Sequence, residues 1–191
     1  MFRNFWAVAF VTFLVVSPAS SQDHDLNQIM GTARQQIDRG EFAAAQGSLR
    51  RAMMVVSDRA ALNINFFDVV AKPAASFTNY TLRENNHYKA GEPILLYVEP
   101  TGYAFRRHGE MLRFGVEADF ELIDSNGNVL GGKKKFQRSV IEGREPIFEF
   151  FMNITYNFTG IQPGKYVVRT VLHDIVNQDE AWFELPFEIR K

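Results

Sequence analysis

The chain has 191 residues, 46% hydrophobic and 23% charged, with a formal net charge of −1 and no cysteine. Such a composition excludes a disordered chain, and the balanced charge supplies no global field toward nucleic acid or an acidic membrane. The missing cysteine excludes disulfides, thiolate nucleophiles and Cys-based metal sites.

Residues 1–21 read as a signal peptide. Arg3 is followed by an apolar run from Phe5 to Val16, then by the small residues Ser17, Ala19 and Ser21. A charged start, a short apolar core and a small-residue cleavage region make up an export signal, and the run is short for a bilayer span. The expectation is an exported protein, in a bacterial periplasm or secreted, with no transmembrane helix after cleavage. The sequons at Asn79, Asn153 and Asn157 then read as plain strand residues.

Residues 22–60 read as a helical hairpin. Leu26, Ile29, Met30, Ala33 and Ile37 recur at helical spacing, Arg39-Gly40 interrupts them, and Phe42, Ala45, Leu49, Ala52 and Met53 form a second stripe. Gly40, Phe42, Ala45, Leu49 and Ala52 resemble the second half of a tetratricopeptide repeat, which implies close helix approach through small residues. The pattern occurs once, so the hairpin is expected to pack on the following domain or on a second copy of the chain.

Residues 61–191 read as strands. Ile94 to Val98 is an apolar run suited to a central strand. Phe114, Val116, Ala118, Phe120 and Leu122 alternate with Glu117, Asp119 and Glu121, giving one buried face. Asn126-Gly127 reads as a type I′ hairpin turn. A long strand is expected from Ile147 to Phe158, with shorter ones near Ser76–Leu82 and Lys134–Ile141. Tyr166, just after the Pro163-Gly164 turn, sits where a tyrosine corner forms in Greek-key sandwiches. The closing strand alternates Phe183, Leu185, Phe187 and Ile189 against polar residues, and Pro186 marks it as an edge or a bulge. The fold class is therefore mainly β with a small α part: an Ig-like antiparallel sandwich of about seven or eight strands behind an αα-hairpin. The segments 87–103 (x-x-K-A-G-E-P-I-L-L-Y-V-E-P-x-G-Y), 124–132 (D-S-N-G-N-V-L-G-G) and 163–169 (P-G-K-Y-V-V-R) resemble exported bacterial proteins with Ig-like sandwiches of uncharacterised role. The resemblance covers about residues 65–191 and implies the fold, with no catalytic residues.

No H-E-x-x-H or G-x-S-x-G occurs, so no catalytic, metal or cofactor site is expected. His173-Asp174 could orient an imidazole, and His108-Gly-Glu110 echoes a deaminase motif without its Cys ligands. A hydrolytic or metal-dependent site around His108 or His173 is thus the remotest reading. The loop 101–108 gathers Tyr103, Phe105, Arg106 and Arg107, the aromatic-plus-Arg chemistry of binding hot spots. Trp182 is the one large aromatic on the polar parity of the closing strand. Lys133, Lys134 and Lys135 read as guards of an edge strand, or as an anion contact. The leading expectation is an exported, non-enzymatic binding or assembly module. It engages an unknown protein through the loop, or an envelope glycan through Tyr103, Trp182 and the lysines, and has no nucleic-acid partner.

Overall fold

The computed structural model describes residues 18–191, with side chains from residue 25 onward. The apolar run and Arg3 of the expected export signal lie outside the described residues. Two compact units divide the chain, Met1–Ala52 and Met53–Lys191.

In the first unit, helix α1 (Pro18–Asp38) turns into helix α2 (Phe42–Ser57), whose last turns belong to the second unit. Gly40 ends α1 with φ +75°. Its N–H bonds Ile37 O at 2.9 Å while Glu41 N–H bonds Gln36 O at 2.8 Å. This is a Schellman stop, and only a residue that tolerates the left-handed region closes it without strain. Ala33, Ala45, Ser48 and Ala52 are buried. Ser48 Oγ donates to Gln36 Oε1 at 2.8 Å between the helices. The bulky members of the expected stripes, Met30, Ile37, Phe42 and Leu49, remain exposed. No helix among the described residues is long and apolar enough to cross a membrane.

The second unit is a sandwich of two sheets, so the chain is mainly β with a small α part. The first sheet orders β1 (Asn63–Val69), β3 (Ile94–Thr101) and β7 (Met152–Tyr156), all antiparallel. The second orders β2 (His87–Lys89), β9 (Glu180–Arg190), β8 (Gly164–Asp174), β5 (Met111–Asp124) and β4 (Arg106–His108). Strand β6 (Val129–Gly143) pairs the other edge of β5. The inward parity of β5, β8 and β9 meets β3 and β7 in one aromatic-rich core. β3 is central and almost wholly buried, as its apolar run dictates. The sheet curls at β6, where Gln137 Nε2 reaches Asn153 O of β7 at 3.0 Å.

Four local expectations are corrected. Only Gly127 has positive φ in the 124–128 hairpin, at +85°, so the turn is not type I′, which needs two such residues. Asp124 N–H bonds Asn128 O, and the Asp124 carboxylate accepts the N–H groups of Asn126 and Asn128 at 2.8 Å each. A carboxylate-braced turn replaces the dipeptide one. The strand expected over 147–158 shrinks to β7, because Tyr103 Oη takes the Ile147 carbonyl at 2.8 Å. Residues 76–82 form isolated bridges only (Ser76 to Asn79, Val70 to Leu82) and fold over the outer face of the first sheet. Finally, β2 pairs β9 in parallel, in an otherwise antiparallel sandwich.

Candidate functional site

The loop expected to bind is built into the fold. Tyr103 is only 2% exposed and stacks on Phe114 with ring centroids 4.5 Å apart. Phe105 is half-buried against Phe114 and Phe148. The end of α2 fastens this stretch: Ser57 Oγ donates to Tyr103 O at 2.7 Å, and Asp58 Oδ1 accepts Phe105 N–H at 2.9 Å. Two aromatics beside a large apolar core bury more area inside than out, so they are core and not surface anchors. Arg106 donates to Val176 O at 2.9 Å, while Arg107 and His108 lie exposed on β4. Tyr166 forms the expected corner, its hydroxyl donating to Gln162 O at 2.8 Å.

His173 and Asp174 point to opposite faces of β8. Asp174 is fully buried and accepts Ala104 N–H at 2.6 Å and Val176 N–H at 2.7 Å. Burial pushes its carboxyl above the usual range, against the pull of those N–H groups. His173 lies on the outer face between two carboxylates, Nε2 at 3.0 Å from Asp119 Oδ2 and Nδ1 at 2.9 Å from Glu180 Oε1. Each ring nitrogen of His173 faces a carboxylate and neither faces an open site. Among the described residues no group of three or more His, Cys, Asp or Glu is placed to hold a metal ion.

The lysine cluster belongs to the same network. Opposite Asp119 the β5–β6 register slips, from Ala118↔Gln137 to Phe120↔Lys133. In this bulge Lys135 takes φ +49°, and Asp119 accepts its N–H at 2.6 Å and the Lys134 ammonium at 2.9 Å. Burial works to raise the Asp119 carboxyl, but the Lys135 N–H, the Lys134 ammonium and His173 outweigh it and hold it below the usual range. Lys135 and Arg138 also pair with Glu117, at 3.1 Å and 3.3 Å.

What sequence reasoning missed is a vacant strand edge. One edge of β9 is fully paired to β8. On the other, Asn86 O accepts Glu188 N–H at 2.9 Å and Asn86 Nδ2 donates to Pro186 O at 3.1 Å. These two bonds fix which β9 residues turn their backbone outward. By the two-residue period of a strand, Trp182 and Glu184 do so too. Among the described residues no strand pairs with them there; β2 reaches only Glu188–Arg190. Trp182 is 65% exposed on this edge. Across from it, β1 is bridged along its outer edge only at the far end, by Val70 to Leu82. A groove of about 350 Å³ lies between, with Leu62, Ile64 and Phe67 on the β1 side and Glu180 to Phe183 on the β9 side. Beneath it the Phe67 and Phe183 rings stack 4.3 Å apart. A second groove, of about 300 Å³, lies near Tyr166 and Phe187, rimmed by His87, Asp124, Lys165 and Glu188, with His87 3.6 Å from the Glu188 carboxylate.

No family model matches the chain, and no curated protein matches it. Among solved structures the chain is similar to the Pseudomonas fluorescens alkylpurine DNA glycosylase AlkC, bound to DNA containing an abasic site analog, at 12% identity and a TM-score of 0.37. The likeness covers 92% of this chain and 48% of that one, so this chain spans about half the length of the protein it matches. That neighbour is a DNA-bound glycosylase. It is at odds with the expected exported, non-enzymatic module and with the exclusion of nucleic acid. Those expectations are not retained. At that TM-score the likeness carries no argument for a shared activity either, so neither DNA binding nor glycosylase chemistry is assigned.

Proposed function

We propose that the seam between β1 and β9 receives an extended polypeptide segment as an added strand. The observation that supports this is the outward backbone of Trp182 and Glu184, which faces an edge with no strand beside it among the described residues. An unpaired strand edge is a template for another chain. Natural folds blunt such edges; here Pro186 and the Asn86 cap blunt only the far end. The same edge already accepts β2, so its hydrogen-bonding phase is proven by an occupant. Main-chain bonds, each worth about 0.5–1.5 kcal/mol net, give affinity, while contacts of the ligand's side chains with the groove lining give selectivity.

N-methylation of the ligand checks this reading. Short fluorescently labelled peptides are titrated with the protein and binding is followed by anisotropy. In an added strand, alternate N–H groups point to the partner and the others to solvent. Methyl groups on one parity should abolish binding, and on the other leave it nearly unchanged. Equal tolerance on both parities would overturn strand addition.

A further inference from the structure

The side chains that border the vacant edge specify the ligand's chemistry, given the strand addition proposed above. An added strand places its side chains alternately on the two faces of the sheet. On the inner face they meet Ile64 and Phe67, both apolar and only partly buried, which cover the core residue Phe183. On the outer face they meet the side chains of Glu180, Trp182 and Glu184, consecutive members of one parity of β9.

Those three residues describe a cation site. Glu180 and Glu184 flank an exposed indole, and cross-strand carboxylates favour an opposite charge beside them. The indole face itself attracts ammonium and guanidinium groups. Each carboxylate has an intramolecular partner, His173 for Glu180 at 2.9 Å and Arg169 for Glu184 at 2.8 Å. Those pairs hold the two side chains on this face without covering them: Glu180 remains 61% exposed and Glu184 40%. An anionic ligand residue would face both carboxylates at once. We infer that the seam selects a strand alternating apolar and basic residues, with a Lys or Arg of the ligand seated over Trp182 between Glu180 and Glu184.

The test uses the full chain and three acetylated peptides of equal length, alternating valine with lysine, with glutamate or with glutamine. The lysine peptide should bind about tenfold tighter than the glutamine peptide, and the glutamate peptide weakest of all. Glu180→Gln with Glu184→Gln should erase the charge preference. Trp182→Ala should weaken the lysine peptide more than the glutamine one. These exposed positions leave the core intact, and an unchanged circular dichroism spectrum checks each variant. Equal affinity for all three peptides, with the N-methyl parity effect still present, overturns this inference alone. Loss of the parity effect overturns strand addition and this inference with it.

Discussion

Asp174 and His173 are neighbours in the chain and share no task. Asp174 is an internal brace for the Ala104 and Val176 N–H groups, so Asp174→Asn should orphan one of them and cost about 1–3 kcal/mol in a urea titration. Asp119 sets a pH dependence. Its carboxyl is held below the ordinary value, so the stability it contributes is present above that value and lost as pH falls through the folded one. Asp119→Asn should therefore flatten the acid limb of a stability-versus-pH curve. The raised Asp174 carboxyl acts in the opposite sense: its contribution is present at low pH and lost as pH rises through its folded value. A steeper acid limb in Asp119→Asn would contradict the assignment. Tyr103 offers a third check. Its ring is buried and stacked, so Tyr103→Ala should cost about 3–5 kcal/mol, whereas a surface anchor would cost almost nothing.

Strands were legible where one face is buried. The alternation over 114–122, 165–173 and 183–189 placed β5, β8 and β9, and the unbroken apolar run placed β3. The three-residue strands β2 and β4 have no period to read, and the 76–82 segment looks like a strand because its Tyr80 serves a second small core. The site was half legible. Trp182 stood out as a large aromatic among polar neighbours, and Pro186 marked an edge. The vacancy itself depends on which strand lies beside β9, a long-range fact that no local pattern carries. Strain shows the same limit: Thr78, with φ +59°, holds a left-handed conformation that a β-branched residue resists, because its N–H must reach Tyr97 Oη at 2.9 Å. Thr78→Gly keeps that bond and should raise stability by about 1 kcal/mol, measured as a shift in the urea midpoint.

At the scale of the whole chain, the two units differ in how they are held. The second owns the aromatic core and both sheets; in the first, among the described residues, the helices meet through small residues and the Ser48–Gln36 bond. A chain from Met53 to Lys191 should keep its β signal and one cooperative transition by circular dichroism, since that unit contains both sheets complete. The sandwich manages its open edges unequally. β6 carries a bulge and three lysines, two of them anchored to buried or half-buried carboxylates, which is how a long edge avoids joining another sheet. The Trp182 end of β9 carries no bulge and no lysine; its charges are Glu180 and Glu184.

The exposure of Trp182 has an optical corollary. The chain has two tryptophans, and the other, Trp6, precedes the described residues. An indole already in water emits in the folded state much as it does in the denatured one. Intrinsic emission from position 182 should stay nearly silent through unfolding, while the tyrosines, several of them deeply buried, change strongly. A blue shift from that position, isolated by difference against Trp182→Phe, would then report that something has covered the ring, with the fold unchanged.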